Sequence, residues 1–472
     1  MSVIDRPVTP RNWTWAKIGD ICDAVNGRAF KPCEWKDVGM PIVRIQNLND
    51  NDARYNFFDA EVQRKHLVEP GDLLFAWSGT PGTSFGAHVW AGPVAVLNQH
   101  IFNLRFDRDA LDARYLCHAL NCNVSSYVQQ AHGGVGLGHI TKGKFLASIV
   151  PLPPLREQRR IVAEIERQFT RLDAAVAALR RVQANLNRYR AAVLKAACEG
   201  RLLGGEWQAR EVTVQEIAVS MKNGLYRRAE VYSEDGIACL RMYNIERGRI
   251  VWKDVKRMQL TPNEVSEYEL LPGDILVNRV NSRELVGKSA AILGFEEPVV
   301  FESKNVRLRL DSDVADARYV SYWFALAGPQ HFAGNAQQVV GMASVSQKQI
   351  GALRIVLPPL AEQNCIVAEV ERRLSVTDRL ETLVETNLAR AARLRQSILK
   401  RAFEGKLVPQ DPGDEPASVL LERIRREREQ GASLGHGKGP RRARAAAKPD
   451  PAKDGAPSAH EKRNVPFRHK RA

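Results

Sequence analysis

The chain has 472 residues and a formal net charge of +15, with 44% apolar and 26% charged residues. These are the proportions of a soluble globular protein with room for two or three packed cores. No run of about 18 apolar residues occurs, which excludes a membrane-spanning helix. The amino terminus, MSVIDRPVTPRNW, lacks the apolar stretch of a signal peptide, and seven scattered cysteines without a Cys-x-x-Cys pair fit reduced thiols in the cytoplasm.

In chain order, the first element is a mixed α/β domain over 1–150. It carries Ile42-Val43-Arg44-Ile45-Gln46-Asn47, a Pro70-Gly71-Asp72 turn followed by a β-rich run, and Asp112-Ala113-Arg114-Tyr115. Segment 151–203 follows. Its Leu152-Pro153-Pro154-Leu155-Arg156-Glu157-Gln158 reads as a strand-to-helix joint after Ile149-Val150. Leu155 to Glu199 holds neither Gly nor Pro, enough for a helix of about 67 Å. Ile161, Ile165, Phe169, Leu172, Val176, Leu179, Val182, Leu186, Tyr189 and Val193 recur at steps of three and four, the stripe of a paired helix. Gly200 is its expected stop.

Residues 204–355 repeat the first domain's landmarks: Cys239-Leu240-Arg241-Met242-Tyr243-Asn244, Pro272-Gly273-Asp274 and Asp316-Ala317-Arg318-Tyr319. Segment 356–408 repeats the helix without a gap. Pro358 stands 205 residues after Pro153, and Gly405 stands 205 after Gly200. Its apolar positions are Ile366, Val370, Leu374, Leu380, Val384, Leu388, Leu394 and Ile398. If the two helices bury their stripes against each other, chain order makes them antiparallel. Segment 409–437 reads as a C-terminal helical extension. Residues 438–472 hold 11 Lys/Arg against 3 Asp/Glu and have the composition of a disordered tail, either a non-specific arm on nucleic acid or a solvated extension.

The whole pattern resembles the specificity subunits of type I restriction–modification systems. The residues that carry the resemblance are the two Leu-Pro-Pro-Leu-x-Glu-Gln helix entries and the Gly-Asp turns. The two helix exits, Leu194-Lys195 to Glu199-Gly200-Arg201-Leu202 and Leu399-Lys400 to Glu404-Gly405-Lys406-Leu407, belong with them, as does the segment after Gly405. The resemblance covers about 1–430. It implies two α/β (α+β) target recognition domains joined by two long antiparallel coiled-coil helices, a pseudo-two-fold internal repeat. Each head would read half of a split, double-stranded DNA target. The helices would set the gap and dock methyltransferase subunits, two of them, with restriction subunits joining that core.

The sequence holds no catalytic motif of its own. An adenine methyltransferase needs an Asn/Asp-Pro-Pro-aromatic loop for the extruded base, and Leu-Pro-Pro-Leu has the wrong ends. Gly138-His139-Ile140-Thr141-Lys142-Gly143-Lys144 has phosphate-loop spacing, but Phe145 stands where a Ser or Thr would bind magnesium. Glu34-Trp35-Lys36 lacks the upstream Pro-Asp of a nuclease, and the histidines show no metal-ligand spacing. No cofactor is therefore expected on this chain; methyl donor, ATP and magnesium are expected on partner subunits. A stand-alone methyltransferase or nuclease, and a coiled-coil adaptor without DNA affinity, are the competing readings.

Base-reading candidates are polar loop residues beside the landmarks. In head one they are Arg44, Gln46, Asn47, Ser78, Thr80, Gln99, His100 and His132; in head two, Arg241, Tyr243, Asn244, Asn278, Arg279, Asn281, Ser282, Arg283, Lys304 and Asn305. Arg suits guanine, and Asn or Gln suits adenine, in the major groove. A polar loop residue is more often solvated or on phosphate. Arg44 with Asn47, and Arg241 with Asn244, hold matched positions, which favours a structural or phosphate role common to both heads.

Overall fold

Glu69-Pro70-Gly71-Asp72 and Leu271-Pro272-Gly273-Asp274 close the same turn in the two heads. Asp72 N donates to Glu69 O and Asp274 N to Leu271 O, with Gly71 at φ +91° and Gly273 at φ +89°. Pro second and a left-handed Gly third define a type II turn. The aspartate then holds its own turn: Asp72 Oδ2 accepts from Glu69 N at 3.0 Å and Asp274 Oδ2 from Leu271 N at 2.8 Å.

The structure is a computed structural model that describes residues 9–50, 52–79, 85–124, 127, 138–204, 208–228, 232–335, 337–339 and 342–435. Thr80, His132 and the basic tail lie outside them. Two compact units divide the chain, Arg11–Gln158 with the chain from Asp411, and Arg159–Gln410.

In the first unit, an antiparallel sheet runs in the order Asp23–Asn26, Ile101–Arg105, Leu73–Ala76, Gly86–Val89. A second sheet runs Asn56–Phe58, Met40–Val43, Ala95–Leu97, Leu67–Val68, with its middle pair parallel. The helix Ala113–Cys122 covers the first sheet, and Phe75, Phe102, Leu116, Leu120 and Phe145 fill the core between them. The C-terminal helix Ala417–Gly435 completes this core with Ala417, Leu420, Leu421 and Ile424. The second unit repeats the plan. One sheet runs Ala218–Asn223, Asn305–Leu310, Asp274–Asn278, Ser289–Ala291; the other runs Tyr232–Ser233, Lys256–Met258, Ile237–Leu240, Val299–Phe301. The helix Ala317–Asn335 takes the place of Ala113–Cys122.

The helix-entry motif fastens each head to its helix. Gln158 is fully buried; its Oε1 accepts from Asp112 N at 2.9 Å and its Nε2 donates to Pro153 O at 3.0 Å. Gln363 does the same with Asp316 N (2.8 Å) and Pro358 O (2.8 Å). Asp112 in turn caps the helix Ala113–Cys122. The Tyr of Asp-Ala-Arg-Tyr closes the joint, with Tyr115 Oη donating to Pro151 O at 2.9 Å and Tyr319 Oη to Val356 O at 2.8 Å. Fixed spacing along the sequence thus follows from bonds that need both partners.

The long helices are Leu155–Cys198 and Leu360–Phe403, 44 residues each. Gly200 (φ +73°) and Gly405 (φ +69°) stand just beyond them, in the left-handed conformation that ends a helix. Arg190 pairs with Asp378, and Asp173 with Arg395. From Arg190 to Asp173 is 17 residues back on the first helix, and from Asp378 to Arg395 is 17 forward on the second, so the helices are antiparallel. The two ion pairs are copies of each other, since both arginines and both aspartates are related by the 205-residue offset. Arg395 also lies 4.1 Å over the Phe169 ring.

The buried seam of the second helix runs through Gln363, Val367, Val370, Leu374, Thr377, Glu381, Val384, Ala391, Ile398 and Ala402, the three-and-four spacing of a coiled coil. The stripe read from the sequence is corrected at four positions. Leu380 and Leu394 fall off this seam and are exposed, as are Val182 and Tyr189 on the first helix. Steps of three and four admit two stripes about a quarter-turn apart, and only one meets the partner helix.

Candidate nucleic-acid interface

In each head the strand ends gather at one rim. In head one, Met40–Val43 and Ala95–Leu97 run parallel to this edge, Leu73–Ala76 ends there, and Ile101–Arg105 starts there after a three-residue connection. In head two the same edge is made by Ile237–Leu240, Val299–Phe301, Asp274–Asn278 and Asn305–Leu310. The described candidate residues sit on or beside these rims.

The rims share one backbone. Trp77 N donates to His100 O at 3.3 Å, and Arg279 N to Lys304 O at 2.8 Å; Ile140 N donates to Trp77 O, and Val345 N to Arg279 O. Thr141 and Ser346 then cap matched short helices. The phosphate-loop spacing at Gly138–Lys144 is therefore a strand followed by a capped helix, and head two builds the same device without the glycines. Gly27 and Gly224 complete the frame: a Cβ on either would meet a backbone carbonyl, Asn98 O at 2.2 Å or Glu302 O at 2.3 Å.

The chemistry on this frame differs between the heads. In head one, Trp77 packs against His100 (5.4 Å between ring centroids) and stacks on Phe102 (5.7 Å). At the matched positions head two has Arg279 and Lys304. Nε of Arg279 is buried and has no hydrogen-bond partner. Gln99 is exposed and touches His100, Nε2 to Nε2, at 3.2 Å. Ser78 pairs with His139 on a short antiparallel ladder.

Several candidates prove to be parts of the frame. Asn47 is 3% exposed; its Oδ1 accepts from Arg44 N at 3.0 Å and its Nδ2 donates to Ala53 O at 3.1 Å. Asn244 repeats this with Arg241 N (2.9 Å) and with Val251 O and Lys253 O. Asn278, Asn281 and Asn305 are buried and bonded to each other, Asn278 Nδ2 to Asn305 Oδ1 at 3.0 Å and Asn281 Nδ2 to Asn278 Oδ1 at 2.8 Å. Ser282 is turned to Glu284, whose carboxyl lies below its ordinary range through its own backbone amide first and Ser282 second.

The remaining candidates face outward or lie partly covered. Tyr243 is 66% exposed with Arg241 5.6 Å above its ring, and Arg241 Nη2 donates to Asp254 O at 2.9 Å. Arg283 is exposed. Gln46 is exposed and donates to Arg54 O at 3.3 Å; Arg44 donates to Asn56 Oδ1 at 3.0 Å and lies 5.0 Å over Trp35. Sequence reading passed over Trp77, whose position is marked by no motif. It also passed over the Asn26-Gly27 and Asn223-Gly224 pairs, which recur at one offset and could have been found.

Comparison with known proteins agrees with this geometry. Residues 10–178 match the family described as the type I restriction modification DNA specificity domain. The chain is 25% identical over 453 residues to the EcoKI specificity subunit of Escherichia coli K12, covering 89% of this chain and 96% of that one. It is 26% identical over 455 residues to the StySPI specificity subunit of Salmonella potsdam, covering 90% and 97%. A solved structure from a study of complex assembly and conformational transition of the type I restriction–modification system superimposes with a TM-score of 0.63 at 18% identity, over 84% of this chain and 99% of that one. It supports the fold.

Proposed function

We infer that this chain is a type I restriction–modification specificity subunit that supplies the DNA sequence specificity of such a system, a reading supported by its family match and its relatives. The carrying observation is one rim backbone used twice with different side chains, aromatic at Trp77 and His100 and cationic at Arg279 and Lys304. A shared frame gives both heads the same approach to the duplex. Unlike side chains give them different base preferences. Each head reads one half of a bipartite target.

The helix pair carries the partners. Val376, Leu380, Leu383 and Leu394 form an exposed apolar stripe on the second helix, each 43 to 57% exposed, and a stripe of this kind on a solvated helix suits a protein surface. We assign it to methyltransferase subunits, two per chain by the repeat, with restriction subunits joining the assembled core. The chain is not itself catalytic; methyl donor, ATP and magnesium belong to the partners. No described helix is long and apolar enough to cross a membrane, and the place of action is the cytoplasm, with the DNA.

The test is reconstitution. The purified chain alone should transfer no labelled methyl group to DNA. The chain with its methyltransferase should methylate one bipartite motif, and Leu383→Asp should release the methyltransferase while leaving the melting temperature unchanged. Robust methyl transfer by the homogeneous chain alone would overturn the assignment.

A further inference from the structure

Head two carries a short hairpin, Ile245–Glu246 paired with Arg249–Ile250. Its turn is Arg247-Gly248, both at positive φ (51° and 78°), the primed turn that matches the strand twist. Ile245 is 1% exposed and belongs to the head's own core, so the hairpin moves with the head. Its two arginines reach the second long helix: Arg247 Nη1 lies 2.7 Å from Glu381 Oε2 and Arg249 Nη2 2.6 Å from Asp378 Oδ2. Arg190 of the first helix pairs with the same two carboxylates, with Glu381 at 3.4 Å. Three arginines and two carboxylates thus join head two to both helices, and side-chain exposure falls to 14% at Arg190 and 10% at Glu381.

The location gives this cluster leverage. The apolar core of head two already holds the second helix at Ile366, Val367, Val370 and Leu374. The cluster adds a contact at Glu381, 15 residues and about 22 Å beyond Ile366. A head held at one point can tilt; a head held at two separated points has a set angle. Glu381 and Arg190 are covered, while Arg247 (43%) and Arg249 (59%) reach them from the solvent side, so screening acts on the hairpin end of the cluster and less on its helix end. The feature is private to head two in the sequence: after Asn47, head one reads Leu48-Asn49-Asp50-Asn51-Asp52, acidic where head two has Arg247 and Arg249.

We propose that Arg247 and Arg249, clamped on Asp378 and Glu381, are positioning residues that fix the angle of head two on the helix pair and thereby restrict the target to one gap length between its half-sites. The proposal rests on the bipartite reading above. In it, base-reading side chains choose the half-site sequences, and the clamp chooses how far apart those sequences stand.

The experiment is methylation-site mapping by the assembled complex on DNA carrying both half-sites at every gap from two below to two above the native one. The wild-type complex methylates one gap. The double variant Arg247→Ala/Arg249→Ala retains both half-site sequences, and methylation at neighbouring gaps rises about tenfold, the change given by loss of roughly 1.4 kcal/mol of discrimination. Arg247→Lys/Arg249→Lys keeps both charges and keeps the single gap. Asp378→Asn/Glu381→Gln, which breaks the cluster from the helix side, behaves like the alanine pair. A single, unchanged gap in the alanine pair would overturn the clamp, as would broadening in the lysine pair equal to that in the alanine pair. A wild-type complex that methylates no bipartite motif would instead overturn the functional reading on which the clamp rests.

Discussion

Arg279 and Lys304 lie one rung beyond the Asn278–Asn305 pair, opposite each other across an antiparallel ladder. Like charges in that relation are destabilising unless an anion or a base acceptor takes up both. Arginine fits guanine O6 and N7 with two parallel donors, whereas lysine is a point charge suited to phosphate. We therefore expect Arg279→Ala to erase preference at one base pair of head two's half-site, by about 1–3 kcal/mol of discrimination, and to leave the other half-site intact. Mapping of methylated sites reads this directly. A uniform loss of affinity across all sequences, with a shallower salt dependence, would place Arg279 on the backbone instead. At this scale the sequence was legible where a motif had to be kept whole. Gln158, Gln363, Tyr115 and Tyr319 bond to backbone at fixed offsets, and their repetition announced them. It did not show that Asn278, Asn281 and Asn305 are buried, because an asparagine that reads a base and an asparagine that satisfies a buried strand end are the same letter. Only burial separates them.

The C-terminal helix Ala417–Gly435 is an element whose existence was legible and whose place was not. Its apolar residues at 417, 420, 421 and 424 mark an amphipathic face, but nothing in the spacing says that the face closes the first head. It does so with Leu420 and Leu421 buried in that core, Ala417 N donating to Asn12 O at 2.9 Å, and ion pairs from Arg425 to Asp20 and from Arg428 to Asp23, both 2.6 Å. Exposed ion pairs add little, so the apolar face dominates, at roughly 1.5–3 kcal/mol for each large side chain buried. Ending the chain after Gln410 should therefore destabilise head one by several kcal/mol. Amide exchange should accelerate at Ile18–Cys22 and Asp23–Asn26, against which the helix packs, while Asp274–Asn278 in head two stays protected. Unchanged protection at Ile18–Cys22 would show that the helix is dispensable to this core. The long helices were legible in length from the absence of Gly and Pro. Their seam was not, because two stripes of similar spacing run along the second helix and only contact with a partner decides between them.

For the whole molecule, the question is what length the helix pair measures. Chain order attaches head one before the first helix and head two after it, so added helix should separate the half-sites. The position of the addition matters. Val193, Ala197 and Leu202 belong to the core of head two, so residues inserted after the first helix would loop out of an anchored joint and lengthen nothing. The stretch free of head two lies between the two copied ion pairs, inside Asp173 to Arg190 on the first helix and past Glu381 towards Arg395 on the second. Adding one seven-residue repeat to both helices there keeps each apolar seam in phase and leaves both ion pairs intact. The pair grows by about 10.5 Å, and at about 3.4 Å of rise per base pair the preferred gap should lengthen by about three base pairs. Both half-site sequences should stay as they were, since no rim residue is touched. Adding the repeat to one helix alone should break the register between Arg190–Asp378 and Asp173–Arg395 and cost assembly instead. Sequencing of methylated sites from the doubly extended complex reads the gap. A complex that assembles, methylates and keeps its original gap would mean that the helices hold the heads without measuring the distance between the sequences they read.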